Sequence, residues 1–249
     1  MSLDRYRTAI VTGASRGIGA ATVRQLCIGG LEVYAVARSA DDLSDLARET
    51  GCRPLALDIS HRDAVLSALS VVDADILISN ASAPVRAGAS WQTAPDDIDL
   101  LLEVNLKGTL NCLAATVPGM QARGRGHVVL LGSIAAAWPI PGMPVYAMTK
   151  AALRNLGQTL RLDLHASGVR VSEIAPGRVE TGAHVALLDD PDEGRRRFYE
   201  GFDCLQPDDI AEAIMFVLGA PQRMDVSYME IVPTDQSYGG SQFHRRDSR

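Results

Sequence analysis

Seven short runs rich in β-branched and other apolar residues recur along the chain: TAIVTG, EVYAVAR, RPLALDI, ADILISN, HVVLLGS, VRVSEIAPG and SYMEIVP. Longer stretches with helical patterning separate them. A strand, a helix and another strand in series have few packing solutions, because the helix must carry the chain back to the starting end of the sheet. Neighbouring strands then run parallel and helices cover both faces. The first five runs are continuously apolar rather than alternating, as in strands buried on both sides. Polar openings such as Ser39–Asp42 and Ser60–Asp63 mark helix starts between them. The expected architecture is α/β, a doubly wound parallel sheet of seven strands. No linker, repeat or low-complexity stretch interrupts it, and 249 residues fit a single domain spanning 1–249. Residues 178–206, rich in charge, Gly and Pro, are too long for an ordinary connection and read as a mobile lid. The tail, 236–249, is too polar and glycine-rich for a core element; it either stays disordered or packs across a neighbouring subunit.

The first strand runs into TGASRGIGAATVRQL, which places Gly13, Gly17 and Gly19 between strand and helix. Without Cβ atoms such a turn can be tight, its backbone can approach a pyrophosphate, and the free N–H groups of the helix start meet the negative charge. The doubly wound sheet is thus expected to be of Rossmann type, although the G-x-x-x-G-x-G spacing departs from the usual G-x-G-x-x-G. An NAD site would place an acid about 20 residues after the glycines, to hold the ribose 2′-hydroxyl. Ala37-Arg38 stands there instead. Arg38, with Arg16 inside the glycine loop, suits a 2′-phosphate, so the expected cofactor is NADP. Asp41 and Asp42 read as the start of the next helix.

Further along, MPVYAMTKAALRNL sets Tyr146 and Lys150 four residues apart, on one face of a helix. A phenol titrates near a pH of about 10, and a nearby ammonium is expected to draw it down towards the range where general acid–base catalysis works best. TGASRGIG, VNLKG, a serine thirteen residues before Y-x-x-x-K, and PGRVET together resemble the short-chain dehydrogenase/reductase family over nearly the whole chain. The resemblance implies a catalytic tetrad of Asn105, Ser133, Tyr146 and Lys150. It implies cofactor contacts from the loop residues Gly13, Ser15, Arg16, Gly17, Ile18 and Gly19, and from Arg38. Asp58, beside the adenine, and Ile59 would follow, then Asn80 and Ala81, and finally Pro176, Gly177, Val179 and Thr181 near the nicotinamide. Lys150 would also hold the nicotinamide ribose, and Asn105 a water linking the lysine to solvent. In carbonyl reduction Tyr146 would give its proton to the oxygen that Ser133 hydrogen-bonds. One departure is visible: Ser79-Asn80-Ala81-Ser82 stands where the family has N-N-A-G, and Ser82 replaces a glycine near the cofactor.

The C-terminal segments LQPDDIAEAIMFVLGAP and MEIVPTDQSYGGSQFHR are similar to the branch of NADP-dependent 3-hydroxy acid dehydrogenases and serine 3-dehydrogenases. A small polar alcohol or carbonyl is therefore the expected substrate, most of all a 3-hydroxy acid, held by Ser133 and Tyr146 with Arg178 gripping its anionic group. Arg195, Arg196 and Arg197 read as the solvated face of a lid helix. A general carbonyl reductase, a 3-oxoacyl-thioester reductase and an NADP-binding sensor or scaffold are the alternatives. The last would have lost part of the tetrad, which is complete here. The net charge of −6 argues against a nucleic-acid partner. No apolar run approaches the roughly 18 residues of a membrane span, and the start of the chain leaves no room for a signal peptide, so a cytoplasmic protein is expected. Cys27, Cys52, Cys112 and Cys204 lack metal-ligand spacing and the histidines are isolated, so no metal site is expected. The family pairs through the helices carrying Asn105 and Tyr146, which implies a homotetramer.

Overall fold

The computed structural model describes residues 3–83, 88–138, 140–182, 185, 190–237, 239 and 242–244. Seven parallel strands form one sheet: β1 (Thr8–Thr12), β2 (Glu32–Ala37), β3 (Arg53–Ala56), β4 (Ile76–Ser79), β5 (Gly126–Leu131), β6 (Val169–Pro176) and β7 (Tyr228–Ile231). Their order is β3-β2-β1-β4-β5-β6-β7, so the chain leaves β1 on one side towards β2 and later returns on the other to β4. A doubly wound sheet opens a crevice at that reversal, beyond the carboxyl ends of its strands.

Hydrophobic patterning explains the layers. β1, β4 and β5 are buried along their whole length. One face packs against α1 (Gly17–Ile28), α2 (Ala40–Thr50) and α8 (Pro207–Gly219), through residues such as Val23, Leu43 and Ile214. The other packs against α3 (Arg62–Leu69), α5 (Thr109–Ala122) and α6 (Pro144–Asp163), through Val65, Cys112 and Leu156. The third run departs from the expectation of burial on both sides. β3 lies at the sheet edge, largely exposed, and its Pro54, which has no N–H to give a further strand, is tolerated there.

A short helix, α4 (Pro95–Leu101), passes through a π-helical turn, Leu102–Gly108, into α5. Within the expected lid lies α7 (Pro191–Phe198), capped by the Asp190 side chain on the N–H groups of Asp192 and Glu193. A bridge between Val179 and Leu205 closes the base of this excursion. Residues 183, 184 and 186–189 of the lid lie outside the described residues, as do 238, 240, 241 and 245–249 of the tail. The described part of the tail is not without packing. Gln236 and Phe243 form an antiparallel bridge, and the Phe243 ring stacks on Phe202 with centroids 4.4 Å apart.

Candidate active site

At the crevice between β1 and β4 the strands end in a cleft of about 790 Å³. It gathers the glycine loop, the ends of β2, β4, β5 and β6, the start of α6 and the first lid residues. Of the catalytic, cofactor and substrate residues expected from the sequence, all but Gly19 and Asn105 line it. Gly19 shapes it from behind, since a Cβ there would overlap the carbonyl oxygen of Gly13.

The loop is braced by groups with no catalytic look. Thr12 ends β1, and its hydroxyl accepts from the backbone N–H groups of Asn80 and Ala81, at 3.1 Å each. Asn80 Nδ2 in turn donates to the carbonyls of Thr12 (2.9 Å) and Gly13 (3.1 Å). The Asn80 side chain is thus used to tie the ends of β1 and β4 together. Thr12 escaped the sequence reading, where a hydroxyl closing an apolar strand was the only signal. Ser82 is exposed at the cleft wall. Among the described residues Ala166 is the one non-glycine with positive φ, so the backbone at Ser82 suits a serine without strain.

The N-terminus of α1 faces the loop with neither a side-chain cap nor an acid in its first turn. By contrast α2 and α8 carry acids there, Asp41 and Asp42 in one and Asp208 and Asp209 in the other. The bare amides and positive dipole end of α1 are left for an anion. Exposed Arg16 and Arg38 line the same end of the cleft, and neither makes a side-chain hydrogen bond or ion pair among the described residues. Ser39, expected from the sequence to open this helix, caps α2 beside Arg38 by accepting from Asp42 N. The donor set and the side-chain-free cradle fit a dinucleotide with an added phosphate. Asp58 lies further along. Burial alone would raise its carboxyl, but the Ser60 N–H (2.9 Å) and hydroxyl (2.7 Å), with His61 and Arg38 beyond, hold it below the usual range.

At the other end of the cleft Ser133, just past β5, caps a 3₁₀ turn (Ile134–Ala136) by accepting from Ala135 N at 3.1 Å. α6 begins with Pro144 at its first position, which suits Pro's missing N–H and fixed φ, and brings Tyr146 beside that hydroxyl. Lys150, one turn on, is 3% exposed. Its Nζ donates to the Leu131 carbonyl at 2.7 Å and lies 5.6 Å from the Tyr146 ring centre. Here the expected tuning needs correction. Burial pushes the Tyr146 phenol up rather than down, the Ser133 hydrogen bond opposing it. Burial also brings Lys150 down, to about 8, against the pull of Glu173. The ammonium is spent on a backbone carbonyl instead of on the phenol.

Asn105 is fully buried in the π-helical turn. Its Oδ1 accepts from Ala83 N (2.9 Å) and its Nδ2 donates to Thr149 Oγ1 (3.0 Å), while Thr149 donates to the Tyr146 carbonyl at 2.8 Å. The residue therefore clamps the chain after β4 to the first turns of α6. Arg178 lines the cleft mouth, but its guanidinium is taken up by the lid and the tail. It donates to the Phe198 carbonyl at 3.1 Å and lies 5.1 Å from the Phe198 ring centre and 4.9 Å from that of Phe243. Gln236, another residue the sequence reading did not place in the site, is buried beneath it and accepts from Arg178 N at 2.9 Å. The PTDQ ending was its only signal.

Comparison with known proteins adds four findings. The family model described as short chain dehydrogenase matches residues 7–192. Serine 3-dehydrogenase of Agrobacterium fabrum is 35% identical over 245 residues, covering 96% of this chain and 98% of the relative. An NADP-dependent 3-hydroxy acid dehydrogenase of Salmonella typhi is 33% identical, covering 95% and 98%. Among solved structures, the closed form of a serine dehydrogenase complexed with NADP⁺ superposes with a TM-score of 0.90 at 32% identity, covering 96% of this chain and 100% of that one.

Proposed function

The chain belongs to the short-chain dehydrogenase family, and we propose that it is an NADP-dependent oxidoreductase interconverting a short 3-hydroxy acid and its carbonyl. The observation carrying this reading is the meeting of Ser133, Tyr146 and Lys150 at one end of a cleft whose other end offers a bare helix N-terminus flanked by Arg16 and Arg38. Those arginines, with the glycine loop and Asp58, would hold the cofactor's adenosine half, and Lys150, Pro176, Gly177, Val179 and Thr181 the other. When bound, NADP supplies the hydride acceptor or donor.

The protein's own groups handle the proton and the orientation. Ser133 Oγ anchors the substrate oxygen, and Tyr146 Oη exchanges a proton with it. Asn105 sets the position of α6 and hence of both Tyr146 and Lys150. A phenol held protonated by burial is ready to act as general acid in carbonyl reduction, whereas alcohol oxidation requires the phenolate and should speed up with rising pH. A carboxylate on the substrate would engage Arg178 by exchange, because a charged acceptor is about twice as strong as the Phe198 carbonyl that it replaces.

With NADP⁺, 3-hydroxy acids or serine are expected to show kcat/KM at least about tenfold above a neutral alcohol of equal size. A panel including sulfonated alcohols and 3-hydroxyacyl thioesters checks this. Faster turnover of the neutral alcohol would make the protein a general carbonyl reductase, turnover of the thioester alone a 3-oxoacyl-thioester reductase, and no turnover of any substrate a sensor.

We read the assembly as a cytoplasmic homotetramer. Exposed Leu102 and Leu110 on the helix running through Asn105, and exposed Met148 and Leu162 on α6, leave apolar surface that a lone subunit would wet. The four cysteines are free thiols, as suits a reducing compartment. Light scattering at micromolar concentration is expected to give about four times the 26.6 kDa chain mass; a monomer would rule the assembly out.

A further inference from the structure

Tyr146, Lys150 and Arg154 follow one another at four-residue steps along one face of α6. Under that face lies Glu173 of β6. Its alternate neighbours Val169 and Val171 pack into the core shared with α5 and α6, so Glu173 points to the same side. It is 5% exposed, and its Oε1 has no hydrogen-bond partner among the described residues. The carboxylate rests on Gly132, where any Cβ would overlap Oε1. Gly132 directly follows Leu131, whose carbonyl accepts from Lys150 Nζ. Carboxylate and ammonium therefore converge on two consecutive residues at the end of β5.

A buried ammonium bound only to a neutral carbonyl keeps its charge at a high desolvation cost unless a counter-charge lies close by. Among the described residues, the titratable groups facing Glu173 are Lys150 and Arg154 from α6 and Tyr228 and Glu230 from β7; β5 presents none at this end. Arg154 has a contact of its own, its guanidinium lying 4.4 Å from the Tyr228 ring centre, and the Tyr228 hydroxyl donates to Glu230 at 2.8 Å. Glu173, which Arg154 shares, is thus the anion that acts on Lys150. We propose that Glu173 is a positioning residue for the reaction, its carboxylate being the counter-charge that keeps Lys150 an ammonium beside Tyr146. This rests on the roles given above to Tyr146 and Lys150. The electrostatics run the same way: burial raises the Glu173 carboxyl, while Arg154 and Lys150 pull it back down.

The chain contains two lysines, the exposed Lys107 and the buried Lys150, so protein labelled with ¹³C at lysine Cε gives two signals and reads Lys150 directly by NMR titration. In Glu173→Gln the Lys150 midpoint is expected to fall by about one pH unit, and in Arg154→Gln, which leaves Glu173 to Lys150 alone, to rise. The high-pH limb of kcat for alcohol oxidation should move with it. An unchanged Lys150 midpoint in Glu173→Gln overturns the proposal. If that variant does not fold, an unchanged or lowered midpoint in Arg154→Gln does so. The titration is independent of turnover, so its failure differs from that of the underlying reading, which full activity in Lys150→Met would sink.

Discussion

Tyr146→Phe is expected to lower kcat by a factor on the order of 10² to 10⁴, the usual worth of a positioned general acid–base group, while NADPH still binds within about threefold of its parental affinity. The substitution removes one oxygen and no volume elsewhere. Tyr146 makes its backbone contact with Thr149 through its carbonyl, and that contact survives, so α6 keeps its place. The end of the cleft lined by Arg16, Arg38 and the glycine loop, proposed to hold the cofactor's adenosine half, is untouched. What disappears is the proposed proton carrier next to Ser133. Because the phenol is held protonated by burial, residual reduction in the variant would depend on water as the acid and should lose the parental pH dependence. Steady-state kinetics with fluorescence titration of NADPH separate the two quantities. A kcat close to the parental value would remove Tyr146 from the mechanism and leave Ser133 or a bound water to carry the proton.

The central strands, the glycine loop and the shared helix face of Tyr146 and Lys150 were legible in the sequence because each follows from local periodicity or spacing. β1, β4 and β5 are apolar at every position, as strands covered on both faces must be. β3 misled for a related reason: RPLALDI contains enough apolar residues to resemble an inner strand, yet its edge position depends on the order of the sheet, which no single run encodes. The polarity of the site's electrostatics was also out of reach. That Lys150 is buried against the Leu131 carbonyl, and that burial raises the Tyr146 phenol, depends on how deeply α6 sits on β5. The same holds for Arg178, whose aromatic neighbours Phe198 and Phe243 come from the lid and the tail and meet only in three dimensions. Thr12 and Gln236 brace the cleft through contacts distant in sequence, and neither residue type signals such a role by itself.

Arg38→Asp is expected to lower the preference for NADP over NAD, taken as the ratio of the two kcat/KM values, by well over tenfold. The end of β2 offers no acid for a ribose 2′-hydroxyl, and Arg38 stands exposed at the cleft beside the Ser39 cap of α2. A guanidinium there would meet a 2′-phosphate by charge-assisted hydrogen bonds, each worth about 1.5 to 3 kcal/mol. The aspartate both removes those bonds and adds like-charge repulsion, while supplying the acceptor that NAD's ribose hydroxyl needs. Solvent screening at an exposed position trims both contributions, and Arg16 persists on the glycine loop as a second cation. For these reasons the expected change is set well below the product of the two full effects. Asp58 provides an internal control: Arg38 is among the charges that hold its carboxyl low, so the variant should raise the Asp58 midpoint in an NMR titration even with no cofactor present. A parent protein that already prefers NAD, or an Arg38→Asp variant with an unchanged cofactor ratio, would transfer 2′-phosphate recognition to Arg16 and the bare N-terminus of α1.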